Sequence, residues 1–211
     1  MIKIIGKNGL ILGIFALVTT GLIVATFLYT KDTIAQAKQV QLLSILNELV
    51  PESSHTNALD TDCIVVEASS LLGNKRQRVF RARNDDEDYA VIIETTAPDG
   101  YSGDIDIVVA IDYQSTVLGA RVLSHKETPG LGDKIDIRVS DWILDFNDVL
   151  YNQETADRWR VKKDGGQFDQ FTGATITPRA VVNAIANVAE YANTNTNILF
   201  DSQSNCLSDT K

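Results

Sequence analysis

The sequence predicts an α+β protein in which a single N-terminal transmembrane helix precedes an antiparallel sheet with flanking helices. Three observations carry this reading. The stretch from Gly9 to Tyr29 contains no charged residue. Beyond it, several short runs of strand character follow one another, separated by turn-forming residues. The chain then reaches an amphipathic helix opened by Thr177-Pro178.

The uncharged stretch runs through Leu10, Ile11, Leu12, Ile14, Phe15, Leu17, Val18, Leu22, Ile23, Val24, Phe27 and Leu28. At about 1.5 Å per residue it crosses a hydrocarbon core of roughly 30 Å. Lys3 and Lys7 precede it, and Lys31 is followed at once by Asp32, so the positive-inside bias favours a cytoplasmic N-terminus. Ala35-Gln36-Ala37 has the small-x-small form of a signal cleavage site. It lies well past an apolar core that is already long for a signal, which favours an uncleaved anchor. With either reading the bulk of the chain stands on the far side of the membrane. Residues 1–30 are thus read as cytoplasmic N-terminus and anchor.

Ile34, Ala37, Gln41, Leu42, Ile45, Leu46 and Leu49 recur near helical spacing until Pro51, which assigns residues 31–51 to a juxtamembrane helix. The globular domain is expected over residues 52–193. Its strands are read over Cys63 to Ala68, Gln77 to Ala82, Tyr89 to Thr95, Ile105 to Ile111 and Val117 to Leu123. Turn compositions such as Leu72-Gly73-Asn74, Pro98-Asp99-Gly100 and Asp112-Tyr113-Gln114 separate them, so a meander is the economical topology. A short helix is expected over Asp141 to Asp148 with Ser140 as cap, and a last strand over Trp159 to Val161 before Lys163-Asp164-Gly165-Gly166 turns the chain. In the final helix Thr177 is the expected cap, and Val181, Val182, Ile185, Val188, Ala189 and Ala192 form one apolar stripe. From Asn193 the chain is polar, and residues 194–211 are read as a loose tail.

Composition removes several function classes. A formal net charge of −9 argues against nucleic acid as a partner, since phosphate backbones are held by Lys and Arg clusters. Two cysteines cannot hold an iron–sulfur cluster, no C-x-x-C-H offers haem attachment, and two separated histidines suggest no metal site. Electrons carried by this chain therefore need an organic cofactor. Cys63 and Cys206 either join the tail to the domain in a disulfide or remain unrelated thiols; the sequence leaves both open. Arg76, Arg78, Arg81 and Arg83 precede Asp85, Asp86, Glu87 and Asp88, a charge run that reads as a solvated hairpin, with a docking surface for a partner as the lesser reading.

The segment Thr172-Gly173-Ala174-Thr175-Ile176-Thr177-Pro178 sets two small residues before a hydroxyl and then opens a helix. Free N–H groups at a helix N-terminus favour an anion, and Gly173 and Ala174 allow another molecule to approach the backbone closely. A threonine hydroxyl is a weak nucleophile, so esterifying it requires an outside base and metal, which points to a separate modifying enzyme. Asp169 completes the longer pattern D-x-x-T-G-A-T.

With these residues in view, the chain resembles the G subunits of the Rnf ion-translocating electron-transport complex, an FMN-binding domain family related to the C subunit of the sodium-pumping NADH:quinone reductase. The resemblance covers nearly the whole chain. It is carried by the N-terminal anchor, Gly100-Tyr101-Ser102-Gly103, the loop Glu127-Thr128-Pro129-Gly130-Leu131-Gly132-Asp133-Lys134-Ile135, and Asp169 to Thr177 with its helix. It implies an α+β FMN-binding domain and one covalent FMN, joined through its phosphate to Thr175 by an ApbE-type flavin transferase that takes FAD. Thr172 stands where the family also uses serine. The resemblance further implies that Thr172, Gly173, Ala174, Ile176 and Thr177 surround the flavin phosphate. It folds the preceding loop beside the flavin, bringing Glu127, Thr128, Leu131 and Gly132 to it, with backbone amides near Thr128, Leu131 and Gly132 meeting the ring or ribityl chain. His125, read as exposed, is left out of the site, and no residue is assigned as catalytic.

The function so implied is an electron-carrying subunit of a membrane-bound ion-translocating redox complex, in the bacterial inner membrane, single-pass, with its soluble domain periplasmic. Its partners would be the other complex subunits, the transferase and membrane lipid. The span offers no ionisable relay, so ion movement would lie in other subunits. Two other readings stand beside this one: a C subunit of the quinone reductase, and a cofactor-free membrane-tethered binding module.

Overall fold

A computed structural model describes residues 2–85 and 87–206, with side chains from residue 6 onward. The side chain of Lys3, Asp86 of the acidic run and residues 207–211 of the tail lie outside the described residues. The chain divides into two units, Met1–Leu42 and Leu43–Lys211.

Helix α1 covers Ile2–Leu49 without interruption. The sequence reading set a juxtamembrane helix apart from the span, but no Gly or Pro stands between Thr30 and Pro51 to break it. Within the span, Thr19, Thr26 and Thr30 donate their hydroxyls to the carbonyl oxygens of Phe15, Leu22 and Thr26 at 2.8–2.9 Å. That satisfies each hydroxyl where no water is at hand. Among the described residues this is the one helix long and apolar enough to cross a membrane.

The second unit holds a six-stranded antiparallel meander of β1 (Cys63–Val66), β2 (Gln77–Asn84), β3 (Glu87–Ala97), β4 (Ile105–Asp112), β5 (Thr116–Ser124) and β6 (Val149–Leu150), paired in that order. Helix α2, Ile176–Asp201, lies against β3 and β4. Val79, Ile93 and Val109 stand side by side across β2, β3 and β4, and the main core unites them with Val181, Val182, Ile185 and Val188 of α2. The expected helix stripe, with Ala189 and Ala192, is buried in full. Alternation sends Phe80, Ile92 and Ala110 to the opposite face of the sheet, where they too are buried. On that face Arg121 of β5 donates to the Glu48 carboxylate near the end of α1, and the neighbouring Leu46, Leu49 and Val50 are buried.

The five expected strands are present. The strand expected at Trp159 to Val161 is not: two short 3-10 turns, Ala156–Arg158 and Lys162–Asp164, flank a single bridge between Val161 and Phe168. Trp159 and Val161 are buried around an exposed Arg160, an alternation that imitates a strand although no sheet edge is offered to it. The helix expected over Asp141 to Asp148 is one 3-10 segment, Trp142–Phe146, and Ser140 accepts from the Trp142 N–H at 3.1 Å.

The tail read as loose from Asn193 is also corrected. Helix α2 continues to Asp201, with Leu199 and Phe200 buried, and Cys206 is joined to Cys63 in a disulfide. Asn205 donates its N–H to the Cys63 carbonyl at 3.1 Å. The arginine run accounts for this end of the helix. Arg81 is only 4% exposed and pairs with Asp62, and both it and Arg83 donate to the Phe200 carbonyl, at 3.1 and 2.6 Å. Cations at the carbonyl end of a helix answer its dipole. Arg81 is thus buried structure, where a solvated hairpin was expected.

Candidate functional site

The three stretches singled out in the sequence fold against one cleft of about 310 Å³. Tyr101 contributes from one loop, Glu127, Thr128, Leu131 and Gly132 from a second, and Gly173 to Thr177 from the entry into α2. Volumes near 300 Å³ lie at the small end of the range for ligand clefts.

The motif is positioned by aromatic burial. Phe168 stacks on Phe146 with ring centroids 4.2 Å apart, Phe171 meets Trp142 edge-on at 5.1 Å, and the Trp142 indole donates to the Asp169 carbonyl at 2.9 Å. Between these anchors and α2 the chain must reverse quickly. Ala174 donates to the Phe171 carbonyl at 3.2 Å, closing a turn in which Gly173 takes φ +84°, a value that strains any residue with a Cβ. Thr175 then occupies the N-cap position of α2 without a side-chain capping bond, and Ile176 is the first helical residue. The N–H groups of Ile176 and Thr177 fall in the first turn, where a helix offers no carbonyl partner. Pro178 stands in that same turn, where its missing N–H costs nothing.

The three threonines have different surroundings. Thr172 is exposed and lies outside the cleft lining. Thr177, the expected cap, is instead fully buried and donates its hydroxyl to the Glu127 carboxylate, an acceptor 50 residues away that no local pattern reveals. Thr175 is half-buried, lines the cleft, and its hydroxyl makes no hydrogen bond with any of the described residues.

The loop that follows β5 closes on its own backbone at Thr128. The Thr128 carbonyl accepts from the N–H groups of Leu131 and Gly132, both at 3.1 Å, and of Asp133 at 3.4 Å. The Leu131 and Gly132 amides expected to meet a ligand are therefore already bonded, and the loop offers the cleft its side chains. Leu131 is 42% exposed and reaches toward Gly173. Glu127, by contrast, is buried; it accepts from the Ser102 N–H at 3.0 Å as well as from Thr177. A Cβ on Gly132 would stand 2.9 Å from both partners of that second bond, so only glycine lets the loop close over it.

His125 is partly buried rather than exposed. Its Nδ1 accepts from the Glu127 N–H at 3.1 Å, which places the proton of the neutral ring on Nε2, 3.7 Å from Asp136. Arg138 beside Asp136 holds that carboxyl below the usual carboxylate range, against the opposing effect of burial. Asp169 does not reach the cleft: it pairs with Lys162 at 2.7 Å and lines a separate groove with Asp145 and Asp148. There burial, with Asp169 and Asp141 nearby, pushes the Asp145 carboxyl up.

The donors at this site suit an anion. The start of α2 supplies unbonded amides beside an available hydroxyl, while Gly132, Gly173 and Ala174 leave room at the backbone. Tyr101, 68% exposed, was not assigned to the site from sequence. The signal was an aromatic residue between Gly100 and Ser102-Gly103 in a loop with no apolar partner of its own. Among the described residues no cluster of His, Cys, Asp and Glu is suited to a metal ion.

The FMN-binding domain family matches residues 100–190, which contain every residue lining the cleft, and the RnfG N-terminal region matches residues 1–49. The G subunit of the ion-translocating oxidoreductase complex of Pseudoalteromonas atlantica is 52% identical over 209 residues, covering 99% of this chain and 97% of that one. Its counterpart in Vibrio atlanticus is 50% identical over 206 residues, covering 98% and 99%. That of Shewanella amazonensis is 46% identical over 196 residues, covering 92% and 91%. With half its residues shared along almost its entire length, and with the FMN-binding domain enclosing the cleft, the chain belongs to the family of G subunits of ion-translocating oxidoreductase complexes.

Proposed function

We propose that this subunit carries electrons within its complex on one FMN esterified through its phosphate to Thr175. Bound there, FMN supplies reversible electron acceptance. The chain's residues would hold and orient it: the first turn of α2 would hold the phosphate, while Leu131, Tyr101 and Thr128 flank the rest of the cleft. The observation that carries this reading is the state of the Thr175 hydroxyl, unbonded at the mouth of α2, while Thr177 is buried and Thr172 stands outside the cleft.

Attachment forms a bond from Thr175 Oγ1 to the FMN phosphorus of FAD as the P–O–P link breaks and AMP leaves. The hydroxyl proton passes to a base on an ApbE-type transferase, and no electron changes hands. The reading places the domain on the periplasmic side of the inner membrane. The Cys63–Cys206 disulfide supports that side, since such bonds persist in oxidising compartments, and Lys3 and Lys7 ahead of the span agree with it. The other complex subunits and membrane lipid are its partners.

The test is coexpression with the transferase, followed by a denaturing gel viewed under ultraviolet light and intact mass spectrometry. A fluorescent band that carries the mass of FMN and is lost in Thr175→Ala supports the reading. A bare polypeptide overturns it.

A further inference from the structure

We propose that Glu127 is the positioning residue of this site, and that its bond to Thr177 leaves Thr175 as the hydroxyl to be esterified; this rests on the covalent-flavin reading above. Glu127 is 4% exposed and forms no ion pair among the described residues. A buried carboxylate of this kind persists only where donors meet it. Here its Oε1 accepts from the Ser102 N–H at 3.0 Å and its Oε2 from the Thr177 hydroxyl. Its own N–H is held by His125 Nδ1. The space around it is kept by glycines: a Cβ on Gly132 would stand 2.9 Å from Oε2, and one on Gly100 would stand 3.0 Å from Oε1.

Two consequences follow for the cleft. The single carboxylate ties the loop bearing Tyr101 to the first turn of α2, so the two walls on either side of Thr175 are set by one side chain. It also engages the Thr177 hydroxyl in a hydrogen bond, on a residue that is fully buried. Thr175, two residues earlier, keeps a free hydroxyl in the cleft. When Thr175 Oγ1 bonds to phosphorus and AMP departs, the proton goes to the transferase's base; Glu127 exchanges none.

The experiment follows covalent flavin against time in full-length protein with transferase, FAD and Mg²⁺, by in-gel fluorescence, with thermal unfolding of each unlabelled protein alongside. Glu127→Ala is expected to slow labelling by about tenfold or more, since misplacement of a reacting group by an ångström costs that much or more. Glu127→Gln is expected to stay within about threefold of the wild type, because its oxygen still accepts from Ser102 N–H while its NH₂ donates to Thr177. Thr177→Val, which keeps the shape and removes the bond, is expected to slow labelling in a protein that still unfolds cooperatively. It serves as the deciding variant if Glu127→Ala does not fold. Wild-type labelling rates in a folded Glu127→Ala or Thr177→Val, or a Glu127→Gln as slow as Glu127→Ala, would overturn the proposal. An unlabelled wild type would instead remove the covalent-flavin reading.

Discussion

Arg81 donates to the carbonyl oxygen of Phe200 at 3.1 Å, joining the middle of β2 to the last turn of α2 across 119 residues of sequence. The same guanidinium donates from Nε to Asp62 at 2.8 Å and reaches the Ser204 hydroxyl at 2.9 Å. One side chain thus closes the helix, the loop before β1 and the C-terminal segment together.

Replacing Arg81 with Ala removes its bonds to Asp62 and to the carbonyls at the end of α2, while Arg83 still pairs with Asp62 and donates to the Phe200 carbonyl. Losing hydrogen bonds to a charged group costs about 1.5–3 kcal/mol, and that loss of unfolding free energy is expected in urea titrations of the soluble domain. Arg160→Ala, which removes only an exposed pair with Asp157, is expected to change stability by less than about 0.5 kcal/mol.

The disulfide acts on the same corner. Cys63 and Cys206 are 143 residues apart, so the bond closes a long loop in the unfolded chain. Reduction, or Cys63→Ala with Cys206→Ala, is expected to cost about 2–5 kcal/mol, read as a lower urea midpoint with dithiothreitol than without.

Local patterning made much of this fold legible, and the failures at Arg81, Thr177 and the tail share one cause. The α2 stripe and the five strands follow from residues whose spacing alone decides their burial. That Thr175 stands at the entry to α2 was legible because Gly173, Ala174 and the helix start are its sequence neighbours. Arg81 and Thr177 were misread because their partners, Phe200 and Glu127, lie far along the chain. Composition around each pointed to solvent or to a cap, and tertiary contact overrode it. The loose-tail reading failed likewise: Asn193 to Asn197 is polar, yet Leu199 and Phe200 beyond it return to the core.

Acid should weaken the domain partly through Asp136. Its folded pKa is lowered, chiefly by the hydrogen bonds from Arg138, so the pair stabilises the fold fully above the unfolded carboxylate value of about 3.9. That contribution fades as the pH falls below about 3.9, through the lower folded value. Because Arg138 is open to solvent, its size is about 1 kcal/mol. Melting temperatures of wild type and Asp136→Asn, compared at pH 7 and at pH 3, are expected to differ at pH 7 and to converge at the acid end.

Gly173 offers the sharpest separation of stability from function. Its φ of +84° closes the turn between Phe171 and Ala174, and a Cβ there would meet Leu131 at 3.5 Å, an ordinary contact. The cost of Gly173→Ala therefore comes from backbone conformation, about 1–2 kcal/mol, and not from a clash. A domain this size survives that loss. The turn can relieve the strain only by rotating toward negative φ, which moves Ala174 and Thr175 relative to the first turn of α2. Calorimetry is thus expected to show a modest drop in melting temperature, while labelling by the transferase falls by about tenfold or more. A variant that loses the stability but keeps the wild-type labelling rate would show that the turn does not set the position of the Thr175 hydroxyl.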